Sequence, residues 1–99
     1  MIVIAGKIQV RPEKRDEAQK AALAMAEATR RESGCVSYTF YADLVDPGTF
    51  FLFEEWESDA ALGAHFQTEH MARFQQQAPA FLAAPPTIKR YVVESATAM

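Results

Sequence analysis

Hydrophobic and polar residues alternate along parts of the chain with a period of two, which is typical of β-strands. The alternation covers residues 2–10 and residues 35–44. Residues 49–56 continue as a strand rich in aromatic side chains, and residues 87–95 form a last predicted strand. The Asp-Pro-Gly sequence at 46–48 predicts a tight turn, since Pro fixes φ and Gly accepts a positive φ. The second and third strands are therefore expected to form a hairpin.

Two further stretches have apolar residues every three or four positions, which predicts helices. The first covers residues 13–31, and Gly34 after it can adopt the left-handed conformation that ends helices. The second stretch falls into two pieces, 59–66 and 69–81, with a break at residues 67–68. The apolar stripe of the first helix is mostly alanine and consists of Ala18, Ala21, Ala22, Met25, Ala28 and Thr29.

The order β-α-β-β-α-β predicts an α+β fold of the ferredoxin-like type, a four-stranded antiparallel sheet with its helices on one face. The third strand is apolar on both sides, because Phe50, Leu52 and Trp56 alternate with Phe51 and Phe53. Helices on one face would leave the second set of aromatic side chains in water. A patch of that kind usually marks an interface, so we expect a homodimer in which two sheets pack face to face.

Composition narrows the classes of protein and partner. The 99 residues, 49% of them hydrophobic, predict a single folded domain over 1–99. A net charge of −3 argues against nucleic acid as a partner, because phosphate binding needs a basic surface. One cysteine, Cys35, excludes an internal disulfide and a multi-cysteine metal site. No apolar run reaches the length of a membrane span or follows a basic leader, so we expect a cytoplasmic protein and no membrane partner.

The chain also carries motifs that resemble a known family. Residues 32–38 read ESGCVSY, residues 50–56 read FFLFEEW, and residues 62–70 read LGAHFQTEH, followed by Phe74. In these motifs the chain resembles the antibiotic biosynthesis monooxygenase superfamily, whose members are dimeric α+β barrels. The likeness extends from the first strand to the last and implies the same fold and a homodimer.

The resemblance implies several chemistries, because the superfamily contains cofactor-independent monooxygenases of quinols and polyketide phenols, haem-degrading monooxygenases and an isomerase of a phosphorylated quorum-sensing signal. Haem-degrading members carry Asn, Trp and an axial His at positions that match Gly6, His65 and Gln75 in an ungapped alignment. This chain departs from that pattern at all three positions. The resemblance therefore favours the quinol monooxygenases, which need no cofactor.

His65 is the candidate catalytic base, since a neutral imidazole near pH 7 can take a proton from a quinol or enediol hydroxyl. The quinol-monooxygenase and isomerase branches carry a similar two-histidine stretch, which here runs from His65 to His70 with Thr68 between them. A histidine hydrogen-bonded inside the core is the alternative. On an unbroken helix five residues turn about 140°, so we expect the two rings to lie on different faces. With no evident third ligand, we predict no metal site.

Glu54 is a second, weaker catalytic candidate, because a carboxyl group among aromatic side chains can have a raised pKa or pair with His65. The alternative, which the pattern favours, is an ion pair with Arg90 or a contact in a dimer. Cys35 is predicted to be structural. The residues expected to form the wall of the substrate pocket are Tyr38, Trp56, Phe66, His70 and Phe74.

Together these features predict a monooxygenase that oxidises a quinol or another electron-rich phenol with O₂ and without a cofactor. No glycine-rich phosphate loop supports a nucleotide cofactor. One alternative is an isomerase or lyase of a small carbonyl compound, with Lys89 or Arg90 holding a phosphate. Another is a non-enzymatic dimeric module that binds a ligand or a partner, which a pocket filled by side chains would favour.

Overall fold

The segments of period two form one antiparallel sheet in the computed structural model, which describes residues 1–99. Its strands are β1 (Ile2–Gln9), β2 (Cys35–Ala42), β3 (Thr49–Trp56) and β4 (Thr87–Val92). They lie in the order β2-β3-β1-β4, and every neighbouring pair is antiparallel. This arrangement confirms the predicted ferredoxin-like α+β fold.

Three strands end before the predicted positions, and β1 does so by one residue, at Gln9. The side chain of Asp43 accepts hydrogen bonds from the backbone N–H groups of Val45 and Asp46, which turns the chain away from β2. At the last strand, Val92 pairs with Ile2, the first residue of β1. Residues beyond Val92 therefore have no strand residue beside them to continue the ladder.

Three helices cover one face of the sheet: α1 (Arg15–Thr29), α2 (Asp59–His65) and α3 (Glu69–Phe81). A short 3₁₀ turn at Pro12–Lys14 precedes α1, so this α-helix is shorter than the predicted 13–31. Ser58 and Thr68 cap α2 and α3, because each side-chain oxygen accepts a hydrogen bond from an otherwise unpaired N–H of the first turn. None of the helices is both long and apolar enough to cross a membrane.

The core lies between these helices and the sheet. On α1 the buried stripe follows the prediction except that Ala26 is buried where Ala28 was expected. Small side chains let α1 approach the sheet closely. Most strand residues on this side are large and apolar, and those buried are Ile2, Ile4, Ile8, Tyr38, Phe50, Leu52 and Trp56. Glu54 is the buried charged residue among them.

Gly6 lies in the middle of β1, between Leu52 of β3 and Ile88 of β4. A Cβ atom added at Gly6 would collide with the carbonyl oxygen of Thr87 and with the Cα of Ile88. Both are backbone atoms, so β4 can approach β1 at this point only because position 6 has no side chain.

The second face of the sheet has no helix against it. Its register places Phe51 beside Lys7 and Tyr41, and Phe53 beside Ala5. Phe51 and Tyr41 are exposed and Phe53 is partly exposed. The two faces of β3 therefore differ as the alternation predicts, and the outer face presents aromatic side chains to solvent.

Thr29 gives a direct test of this packing, because its fully buried hydroxyl has no hydrogen-bond partner. Thr29→Val keeps the shape of the side chain and removes the unpaired hydroxyl. We expect it to raise the free energy of unfolding by about 1 kcal/mol. Thr29→Ser keeps the hydroxyl and loses a methyl group, so it should lower that free energy. Urea denaturation measures both, and a destabilised valine variant would contradict the packing described.

Candidate active site

A cavity of about 320 Å³ lies between α3 and the sheet, next to its edge strand β4. Its volume is that of a small ligand site. Its wall is mostly apolar, and the charged or polar members of it come from β3, α2, α3 and β4. The residues that line it are Ile4, Ile8, Tyr38, Leu52, Glu54, His65, Phe66, Met71, Phe74, Gln75, Ala78, Leu82, Pro86, Ile88, Lys89 and Arg90. A second groove, of about 220 Å³, lies between α1 and β2 and contains neither an imidazole nor a carboxyl group.

Beside the cavity, one carboxylate oxygen holds two histidine rings. Glu32 follows α1, and its Oε2 lies 2.7 Å from Nδ1 of His65 and 2.6 Å from Nε2 of His70. His65 ends α2 and His70 lies in the first turn of α3, so the carboxylate joins both sides of the break between these helices. The His65 side chain is 2% exposed, which makes it part of the core as well as of the cavity wall.

This contact determines which nitrogen of His65 carries a proton. An ionised carboxylate only accepts hydrogen bonds, so Nδ1 of His65 must donate and hold the proton. Nε2 then carries the lone pair. It makes no hydrogen bond to another protein group, and the ring that carries it borders the cavity.

The expectation that His65 and His70 lie on different faces is wrong. It assumed one continuous helix, whereas α2 ends at His65 and a new helix begins at Glu69. The intervening turn changes the direction of the chain and brings both rings to Glu32. Glu32 is the residue of this candidate site that sequence reasoning missed, although it opens the ESGCVSY motif.

Glu54 lies on the sheet side of the same cavity and is 5% exposed. Its Oε1 accepts a hydrogen bond of 2.8 Å from Nε1 of Trp56, two residues further along the same face of β3. Burial raises the pKa of Glu54 from 4.5 to about 7; the Trp56 hydrogen bond acts in the opposite direction, and the nearby charge of Glu32 adds to the rise. Near neutral pH this group is therefore substantially a protonated, hydrogen-bond-donating acid.

The predicted ion pair between Glu54 and Arg90 does not form. Arg90 reaches Asp59, at the start of α2, and pairs with its carboxylate. Since Arg90 also lines the cavity, a cation lies at the edge where β4 meets α2. Glu54 makes no hydrogen bond to His65 either, so the two groups face the cavity separately.

Two other polar residues near the site are held in their neutral forms. Burial and the charge of Glu54 raise the pKa of Tyr38 well above its usual range, so its phenol stays protonated. Burial and the charge of Glu32 also raise the pKa of the Cys35 thiol. An activated nucleophile has the opposite shift, and this environment fits a structural cysteine.

The residues predicted to form the pocket wall divide into two groups. Tyr38, Phe66 and Phe74 line the cavity. Trp56 is completely buried behind His65, with ring centroids 4.9 Å apart, and it supports that ring and Glu54. His70 contacts the same oxygen of Glu32, with its ring centroid 5.9 Å from that of His65, and it does not line the cavity.

Comparison with known proteins identifies the family. A model of the family described as antibiotic biosynthesis monooxygenase matches residues 1–77. The chain belongs to this family. The part that matches the antibiotic biosynthesis monooxygenases includes Glu32, Glu54, His65 and His70, whereas β4 and its cavity residues lie after it.

Individual relatives extend the comparison. The protein sll1783 of Synechocystis is 41% identical over 92 residues, which are 93% of this chain but 63% of that longer protein. YcnE of Bacillus subtilis is 32% identical over 90 residues, covering 91% of this chain and 95% of YcnE. The solved structure of Rv0793 from Mycobacterium tuberculosis superimposes with a TM-score of 0.91 at 26% identity, over 98% of each chain.

The raised pKa of Glu54 predicts how stability depends on pH. Folding favours the protonated carboxyl, so this stabilisation is complete below pH 4.5 and is lost as the pH rises through about 7. Glu54→Gln keeps a neutral group at every pH. Its free energy of unfolding relative to the native protein should therefore increase between pH 5 and pH 8, by about 3 kcal/mol at most.

Urea denaturation at both pH values measures this change. Glu57→Gln changes an exposed carboxylate nearby and is the matched control. Its free energy of unfolding should differ from that of the native protein by the same amount at both pH values. If the free energies of unfolding of Glu54→Gln and of the native protein differed by the same amount at both pH values, the raised pKa of Glu54 would be contradicted.

Proposed function

We propose that this protein is a cofactor-independent monooxygenase that oxidises a quinol or a similar electron-rich phenol with O₂. The observation that carries the proposal is the position of His65, whose Nδ1 is held by Glu32 while its ring borders an apolar cavity. Membership of the antibiotic biosynthesis monooxygenase family supports the reaction type.

In the first step, Nε2 of His65 takes the proton of a substrate hydroxyl. Because Glu32 accepts the hydrogen bond from Nδ1, it holds the ring with Nε2 on the opposite side. Glu32 also stabilises the imidazolium that forms, as a carboxylate does for a catalytic histidine in other enzymes. The substrate becomes an electron-rich anion. The surrounding Ile, Leu and Phe side chains exclude water from it and strengthen the electrostatic interactions inside the cavity.

The anion then supplies every electron that the reaction needs. It passes one electron to O₂, and the resulting pair of radicals combines to form a carbon–oxygen bond and a hydroperoxide. Removal of the proton from the carbon that carries the hydroperoxide, with cleavage of the O–O bond, leaves one oxygen atom on that carbon as a carbonyl. The other oxygen departs as hydroxide, takes up a proton and is released as water. A quinol and O₂ thus give a hydroxyquinone and water, with no external reductant.

Glu54 is suited to the last step. A carboxyl group with a pKa of about 7 can donate a proton to the departing oxygen of the hydroperoxide and can be reprotonated afterwards. His65 and Glu54 line one cavity without bonding to each other, so a substrate between them can contact a base and an acid together.

The same pair of groups favours a second candidate, an isomerase of a small carbonyl compound. Moving a proton between carbon atoms requires a base and an acid on one cavity, and His65 and Glu54 meet that requirement. Arg90 in the wall would bind a phosphate or carboxylate group of the substrate. O₂ consumption separates the two candidates, because isomerisation uses none.

We further propose that the helix-free face of the sheet binds the same face of a second copy. Phe51, Phe53 and Tyr91 supply apolar surface there, and burying it contributes about 25 cal/mol per Å². Lys7 and Glu55 lie on this face at opposite ends of the sheet. A twofold arrangement can therefore bring each lysine towards a glutamate of the other copy.

His65→Ala tests the monooxygenase proposal. Loss of the base should lower the rate of O₂ uptake with a quinol by about 10²–10⁴-fold in a variant that still folds, although the lost contact with Glu32 lowers its melting temperature. Oxygen-electrode assays and thermal melts are to be run on the same preparation. Gln67→Ala is the control, because Gln67 lies in the same helix break but not in the cavity wall.

A purely structural His65 gives a different result. The alanine variant would then melt at a lower temperature and oxidise the quinol at the native rate, which would refute the role as a base. If the native protein consumes no O₂ with any quinol but isomerises a carbonyl compound, the second candidate replaces the first.

Phe51→Asp tests the homodimer. A charge in the middle of the apolar face should convert the dimer to a monomer or cause aggregation, as judged by light scattering at micromolar concentration. Leu44→Asp changes an equally apolar exposed residue in the β2–β3 turn and should leave the dimer unaltered. A native protein that scatters as an 11.0 kDa particle would rule the dimer out.

A further inference from the structure

We propose that Glu32, His65 and His70 form a binding site for a divalent transition-metal ion of the zinc class, and that its occupancy switches off the base. The carboxylate oxygen and the two imidazole nitrogens lie within 4.8 Å of one another. Two imidazoles and one carboxylate are a common donor set for Zn²⁺, with a fourth position left for water. Imidazole nitrogen also favours this class of ion over Mg²⁺ or Ca²⁺.

The three ligand atoms are close enough to share an ion once their side chains adjust. Ligand bonds to zinc are about 2.0–2.2 Å long, so the ligand atoms of a tetrahedral site lie roughly 3.3 Å apart. Here Oε2 of Glu32 lies 2.7 Å from one nitrogen and 2.6 Å from the other, and the two nitrogens lie within 4.8 Å of each other. An ion therefore requires the carboxylate to withdraw and the spacing of the two rings to adjust. Glu32 belongs to the connection between α1 and β2, where side-chain rotation does not disturb a helix or a strand.

The charge of the site also suits a cation. Glu32 forms ion-pair contacts only with the two histidines, because Arg30 donates to the backbone oxygen of Tyr38 and Arg31 pairs with Glu27. The Glu32 side chain is only 14% exposed, so its negative charge is weakly screened by water. The His70 side chain is 18% exposed, so an ion from solvent can reach the site beside this ring.

Metal binding would change the protonation of His65. Nδ1 can coordinate an ion only through its lone pair, so the proton that it donates to Glu32 must move to Nε2. Nε2 is the nitrogen that takes the substrate proton, and in the metal-bound form it can only donate. The metal would therefore inhibit the enzyme; this part of the inference rests on the proposed function, whereas binding itself does not.

Isothermal titration calorimetry of ZnCl₂ into the untagged, chelator-treated protein tests the binding. We expect one ion per chain, and Co²⁺ should give the visible absorption bands of a tetrahedral site. His70→Gln and Glu32→Gln should each weaken binding at least tenfold, since each removes one ligand. Glu69→Gln alters an exposed carboxylate next to His70 and should bind as the native chain does.

The possible outcomes test the metal site and the proposed function independently. Absence of binding in a large excess of zinc, or undiminished binding by His70→Gln, would overturn the metal site whatever the activity. If zinc binds with the expected variant pattern but no quinol is oxidised, the site stands and the proposed function fails. If the native protein oxidises a quinol, zinc should inhibit that reaction. Inhibition of His70→Gln should require a zinc concentration at least tenfold higher. Inhibition of both proteins at the same concentration would refute the switch.

Discussion

The hydrogen bonds from two imidazoles to one oxygen of Glu32 are the contacts on which the site depends. They join the connection after α1 to the break between α2 and α3, so three separate parts of the chain meet at one atom. Hydrogen bonds to an ionised acceptor are stronger than those between neutral groups. The same contact therefore fixes the junction of the two helices, the tautomer of His65 and the position of its free nitrogen. Loss of the carboxylate would disturb the helix packing and the chemistry together.

A second constraint comes from the shape of the sheet. Two longer helices, α1 and α3, and the short α2 lie on four strands, and they do not cover the region beside β4 completely. The cavity occupies that region, with apolar strand residues on one side and α3 on the other. The opposite face has no helix at all and presents Phe51 and Phe53. One architecture thus produces both a sheltered space for a small molecule and an apolar surface suited to a second chain.

The fold could be predicted from the sequence because each element has its own local signal. Alternation predicted the strands, the alanine stripe predicted α1, and residues 67–68 marked the break in the second helical stretch. The site could be predicted only in part. His65 and Glu54 were found from residue type and spacing, but the contact between Glu32 and His65 joins residues 33 positions apart and has no local signature. The helix break was the available clue, because helical periodicity does not extend across it.

Gly6 has a consequence for how chemistry can change within this family. The close approach of β4 to β1 leaves no space for any side chain at position 6. The haem-degrading members of the superfamily, from whose pattern this sequence departs, carry an asparagine at the matching position. Introducing that residue here would require the whole last strand, including Arg90 at the cavity edge, to move outward. A side chain can therefore be introduced at this position only together with a change in the spacing between β1 and β4.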